Sequence, residues 1–168
     1  MFSSAGYYGM PTQLPISSGQ DVAGAPAGVI KSRFGEVAVD PAKILSFPRG
    51  LLGMPERFQF ILTSFPTDKM AQFKLLQSTE DEALSFITLP LDLDNPIIAR
   101  GDILLACRDL GIAEQDLAML LIVSVHRTPD QVKLSVNARA PLMVDAQRRL
   151  GVQHVFSSDD YKVQHMLG

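Results

Sequence analysis

From Val29 onward, short runs in which apolar and polar residues exchange at every second position follow one another, separated by Gly, Pro, Asn and Asp. A period of two is that of a strand with one buried face. "VIKSRFGEVAVD" sets Val37 and Val39 against Glu36, Ala38 and Asp40, with Gly35 between two β-prone runs, and predicts a hairpin. "RFQFIL" places Phe58, Phe60 and Leu62 on one face, and "FKLLQS" places Phe73 and Leu75 together with Gln77. "QVKLSVNA" opposes Val132, Leu134 and Val136 to Lys133, Ser135 and Asn137. "ALSFITLP" ends at Pro90, a residue that a central strand does not tolerate, and "PLMVD" and "GVQHVF" supply two further short strands. "LAMLLIVSV" lacks alternation, so both of its faces are expected to be covered.

One segment has the helical period instead. In "ARGDILLACRDLG" the apolar residues Ile103, Ala106, Cys107 and Leu110 share a face, Asp102 is the predicted N-cap and Gly111 the predicted end. "AEQDL" adds a second helical turn. Many short antiparallel strands with one or two short helices predict a mainly β domain, a small barrel or sandwich. Residues 1–28 are rich in Gly, Ser, Ala and Pro, carry one charge at Asp21, and predict a flexible tail, with Tyr7, Tyr8 and Met10 as its candidate docking residues. Residues 29–168 are then a single domain, in keeping with a chain of 168 residues.

The stretch "ILSFPRGLLGMPERFQF" breaks the strand pattern. Pro48 and Pro55 cannot continue a ladder, while Gly50 and Gly53 reach backbone angles that other residues avoid. The segment therefore predicts a turn between a strand ending at Phe47 and another beginning near Phe58. Leu51, Leu52 and Met54 either plug one end of the barrel or stay partly exposed as a contact.

Composition narrows the chemistry. Hydrophobic residues make up 46% and charged ones 20%, enough for a core. A net charge of -3 with scattered Lys and Arg, whose one adjacent pair is Arg148-Arg149, argues against direct nucleic-acid binding. "MFSSAGYYGM" lacks the features of a secretory signal, and the apolar run Leu117 to Val125 is too short to span a bilayer. A cytoplasmic protein without membrane insertion is expected. Cys107 stands alone and is read as a buried, inert thiol.

His126, His154 and His165 have no metal-ligand spacing, "GLLG" is no phosphate loop, and neither GxSxG nor HExxH occurs. No catalytic, cofactor-binding or metal-binding residue is therefore assigned. Glu80, Asp81 and Glu82, and again Asp92 and Asp94, lie in the connections flanking "ALSFITLP". They are either solvated loop charge or an acidic patch that meets a basic partner and repels a polyanion bound to it.

Taken in order, several motifs resemble a known family. "SRFGEVAV" (Ser32 to Val39) is similar to its opening hairpin, and "ILSFPRGLLGMPE" (Ile44 to Glu56) to its Phe-Pro-x-Gly hallmark. "FKLLQS" (Phe73 to Ser78) is similar to its Leu-Gln-Ser segment, "LSVNARAPLMVD" (Leu134 to Asp145) to its Asn-x-x-Ala-Pro segment, and "GVQHVF" (Gly151 to Phe156) to its closing Gln strand. The family is the flagellar assembly factor FliW.

The resemblance implies a small β-barrel-like protein without enzymatic activity or cofactor. It implies binding to flagellin and, when flagellin is exported, to the translational repressor CsrA, which frees flagellin mRNA. Candidate partner contacts are Leu75, Gln77, Ser78, Glu80, Asp81, Glu82 and Phe86, the last if its strand lies at an edge. Pro48, Gly50, Gly53, Pro55, Asn137 and Pro141 are expected to shape turns. The alternatives are a flagellin chaperone without CsrA antagonism and a small flavin-binding β-barrel enzyme.

Overall fold

The computed structural model describes residues 28–168. The expected tail, with Tyr7, Tyr8 and Met10, lies outside the described residues apart from Gly28, which already belongs to the first strand. The order of elements is β1 (Gly28–Ser32), β2 (Gly35–Val39), β3 (Leu45–Ser46), β4 (Gln59–Ser64), β5 (Lys74–Ser78), β6 (Ser85–Leu91), α1 (Arg100–Leu110), β7 (Leu117–Arg127), β8 (Val132–Val136), β9 (Leu142–Asp145), β10 (Leu150–Gln153) and β11 (His165–Leu167).

A barrel closes because β7 is long enough to serve two neighbours on one side. Its first half, Leu117 to Leu120, pairs with β9, while Val123 to Arg127 pairs with β8. The pairings then run β7–β6–β5–β4–β3–β10–β9 and return to β7, with β8 and β11 continuing outward from its far half. All pairings are antiparallel except the single bridge between Leu150 and Ser46. β1 and β2 form the predicted hairpin as a separate two-stranded sheet.

Register explains the runs without alternation. Residues directly opposite share a face, and Leu62, Leu76 and Phe86 form one such row, as do Ala118 with Val144 and Leu120 with Leu142. These side chains pack with Phe47, Leu51 and Phe60 into the cluster that fills the barrel. The opposite face of the same strands is covered as well. The hairpin lays Val37 and Val39 on Ile61 and Leu75. Helix α1 places Ile103, Ala106 and Cys107 in one cluster with Met119, Leu121 and Met143. Leu75 and Leu76 are both buried for this reason, and so are Met119, Leu120 and Leu121.

Four expectations change. β6 carries Pro90 although it lies between β5 and β7; its ladder with β5 ends at Thr88, so Pro90 sits where that side is free. Helix α1 is capped by Ala99, whose side chain makes no capping bond, rather than by Asp102. Asp102 instead accepts a short hydrogen bond from the Tyr161 hydroxyl, which itself accepts one from the Ala99 N–H at 3.2 Å. Burial and then the Asp102 bond push the Tyr161 phenol up from its ordinary pKa. In β8, Leu134 and Val136 face the core, but Val132 at the strand start is exposed, and Ser135 on the opposite face is fully buried and bonds His126 Nε2 at 2.7 Å. Phe58 precedes β4 and is exposed, whereas Ile61 and Phe60 fill opposite faces of that strand.

The α1 helix ends where predicted, at Gly111 with φ 70. Cys107 is buried, and burial raises its thiol pKa, which keeps it a poor nucleophile. No helix among the described residues is long and apolar enough to cross a membrane.

Candidate partner-binding surface

Strand direction gathers two of the sequence motifs at one end of the barrel. β4 starts, β5 ends and β6 starts there, so the Phe47–Phe58 turn and the loop between β5 and β6 become neighbours. The turn is a small hairpin of its own, with Leu51 and Met54 exchanging backbone hydrogen bonds of 3.2 and 2.8 Å around Leu52-Gly53. Gly53 has φ 80, as the third position of a type II turn requires. Gly50 has φ 65 and lies against the backbone of Met54 and Pro55. Pro48 and Pro55 occupy the two flanking turns. The apolar trio divides: Leu51 is buried in the barrel cluster, Leu52 is 57% exposed and Met54 is half-buried.

The acidic loop is built around Gln77. Its Nε2 lies 3.0 to 3.3 Å from the main-chain carbonyls of Ser78, Asp81, Glu82 and Leu84, so one buried amide gathers the whole loop. Ser78 Oγ accepts from the N–H groups of Glu80 and Asp81, and Asp81 Oδ1 accepts from Ala83 N–H. Glu80 reaches across to the turn, where its carboxylate accepts from Phe58 N–H at 2.8 Å and Gln59 N–H at 3.3 Å. Arg57 and Asp81 approach to 3.7 Å.

Replacing Gln77 by Leu is expected to cost only about 1 kcal/mol net, because Oε1 is buried without a partner and its loss offsets part of the lost donor. The larger effect is on order: hydrogen exchange of the Glu80 to Ala83 amides should speed up at least tenfold while that of β7 stays unchanged.

Further links tie this end together. Gln153 Oε1 accepts from Leu52 N–H at 2.8 Å while its Nε2 donates to Ala140 O at 3.1 Å. It bridges the turn to the bend after β8, where Asn137 Oδ1 accepts from Ala140 N–H and the buried Pro141 accepts from His154 N–H. Gln153 lies in the closing strand motif, and nothing local in the sequence marks a side chain that acts across 101 residues.

The resulting surface mixes apolar and charged groups, with acids in excess. A concavity of about 390 Å³ lies between turn and loop, lined by Gly53, Met54, Pro55, Glu56, Arg57, Asp81 and Leu84. Leu52 and Phe58, 57% and 41% exposed, flank it, and Glu56 and Glu82 are exposed beside it.

The other predicted contacts are not on this surface. Leu75, Gln77 and Ser78 are buried, and Phe86 is a half-buried barrel residue 6.3 Å from the Phe60 ring, on a strand paired on both sides rather than at an edge. They shape the surface from beneath. Asp92 and Asp94 lie beyond the far end of β6, where Asp94 pairs with Arg100 at 3.0 Å. No group of three or more potential metal ligands occurs among the described residues.

Comparison with known proteins agrees with this architecture. The family model described as FliW protein matches residues 28–167. The chain is 29% identical over 143 residues to the flagellar assembly factor FliW of Alkaliphilus metalliredigens, covering 80% of this chain and 82% of that protein. It is 30% identical over 142 residues to the flagellar assembly factor FliW of Natranaerobius thermophilus, covering 83% and 91%. A crystal structure of the flagellar assembly factor FliW superposes with a TM-score of 0.62 at 27% identity, covering 83% of this chain and 96% of that one. With the barrel, the hallmark turn and the match over 28–167 in agreement, the chain belongs to the FliW family of flagellar assembly factors.

Proposed function

We propose that this chain is a non-enzymatic cytoplasmic regulator of flagellin synthesis. It binds flagellin and, when flagellin is scarce, binds and antagonises CsrA. The observation that carries the reading is the apolar and acidic surface held at one barrel end by Gln77, Glu80 and Gln153. Exposed Leu52 and Phe58 give a partner apolar anchors, and the exposed Glu56 and Glu82 add negative charge, while Asp81 approaches Arg57. Such a surface attracts a basic RNA-binding protein and repels the polyanion that protein carries. The relatives' names place them in flagellar assembly, which fits flagellin as the second partner.

The test uses two variants of the full chain. E56K together with E82K changes exposed side chains that hold no part of the fold, and should weaken CsrA binding about five- to tenfold and flatten its salt dependence. Leu52→Ala with Phe58→Ala should weaken binding of the apolar partner segment while leaving the melting temperature within about 2 °C. Unchanged titrations for both variants would remove this surface from the account. Flagellin binding without any CsrA binding by the wild-type chain would leave a chaperone.

A further inference from the structure

The opposite end of the barrel is built differently. At the turn end, the interior is filled by Phe47, Phe60 and Phe86. At the other end β4 finishes, β7 and β10 start and β9 finishes, and the same inner face carries Leu45, Leu62, Ala118, Leu120 and Val144. These residues line an open cavity of about 250 Å³ whose rim is the Pro41–Lys43 turn and the turn between β9 and β10. Ala118 is the smallest inner residue there, and no larger side chain closes the space.

Two cations stand on that rim, Lys43 and Arg149, and no carboxylate is among the lining residues. Neither cation forms an ion pair with another described residue. Arg149 is also the one non-glycine residue with positive φ among those described, at 55. A side chain in that region costs free energy that a neighbouring contact must offset. Here the guanidinium donates to Ala42 O across the rim, and its own carbonyl accepts from Ser46 N–H at 2.9 Å. The strained turn thus holds a guanidinium above an apolar opening.

We propose that this end of the barrel binds a small amphipathic anion, an aliphatic carboxylate, with its chain among Leu62, Leu120 and Val144 and its headgroup between Lys43 and Arg149. The volume sets the size class. It lies just under the range of about 300–1,000 Å³ usual for drug-sized ligands, so a single short chain fits and a helix does not. The charge sets the sign, because unpaired cations over apolar walls favour an anion joined to a chain. The site is at the end opposite the acidic surface, so it stands or falls independently of the CsrA and flagellin reading.

Octanoate is the probe, titrated into the full chain with the isoleucine, leucine and valine methyl groups observed by NMR. Saturable shifts are expected at Leu62, Leu120 and Val144, and Leu52 should not move. Over the series butanoate, hexanoate, octanoate, affinity should rise about fourfold for each methylene buried until the cavity is full. Octanol should bind about fivefold more weakly than octanoate, and Lys43→Gln with Arg149→Gly should remove that difference.

Glycine suits the backbone at 149, so that variant keeps the turn. Ala118→Leu, which fills the opening, should lose octanoate at least tenfold without a lower melting temperature. The proposal is overturned if octanoate at millimolar concentration gives no saturable methyl shifts, or if octanol binds as well as octanoate. It is equally overturned if a folded Ala118→Leu binds like wild type; should that variant not fold, the wild-type methyl map decides.

Discussion

Gly50→Ala is expected to lower the melting temperature by roughly 10 °C. Two costs add at this position. Its φ of 65 places an added side chain in the left-handed region, at about 1–2 kcal/mol. The new Cβ would also sit 2.6 Å from Pro55 Cα and 2.7 Å from Met54 O, both backbone atoms that cannot rotate away. Forcing them apart costs about 1–3 kcal/mol more, and for a domain of this size each kcal/mol shifts the midpoint about 2–4 °C. Gly53→Ala is the control: its φ is 80, but nothing lies within 4 Å of its added Cβ. It should show the strain alone, a shift of about 3–5 °C. Equal shifts for the two variants, read by calorimetry, would mean that the close approach of the turn to itself contributes nothing.

Gly151→Ala should be nearly as costly for a different reason. Gly151 lies opposite Val144 on the inner barrel face, and a Cβ there would meet the Phe47 ring at 2.4 to 2.9 Å. The ring has nowhere to go: Phe47 is fully buried and packs edge-on against Phe60 at 5.6 Å. Overpacking of about 2 kcal/mol follows, with a fall of roughly 4–8 °C. Shortening the ring should restore room, so Phe47→Leu combined with Gly151→Ala is expected to be more stable than the sum of the two single changes. Additive losses would show that Gly151 serves some purpose other than making space for Phe47.

Both predictions concern the hallmark turn, and its legibility in the sequence was partial. Two prolines and two glycines announce a turn because each restricts or frees φ locally, and the structure places a turn between β3 and β4. What Gly50 approaches and why Gly151 lacks a side chain depend on tertiary neighbours that no local pattern encodes. The same limit explains β4, β5 and β7. Alternation assumes one wet face, and these strands have the barrel core on one side and the hairpin or α1 on the other. The missing alternation of "LAMLLIVSV" is readable as two covered faces, whereas the period groups Phe58 with Phe60 and Leu62 across a strand end that the sequence does not mark.

The candidate site follows the same division. Acidic residues in a loop are visible in sequence; that Glu80 is spent on the Phe58 and Gln59 N–H groups and Asp81 approaches Arg57, leaving Glu56 and Glu82 exposed, is not. Leu75, Gln77 and Ser78 belong to a recognisable motif, yet their burial gives them an architectural part. Gln77 converts a run of acids into a loop of defined shape, and Gln153 fastens the neighbouring turn to it. A partner docking there would meet preorganised groups, which lowers the ordering cost of association.

The most direct measurement of the proposed partner switch is a calorimetric titration of this protein with CsrA from the same organism, alone and with flagellin prebound. Saturable heat with the free protein that prebound flagellin abolishes is the result the account predicts. Absence of CsrA binding while flagellin still binds, or CsrA binding that flagellin leaves unchanged, would contradict it.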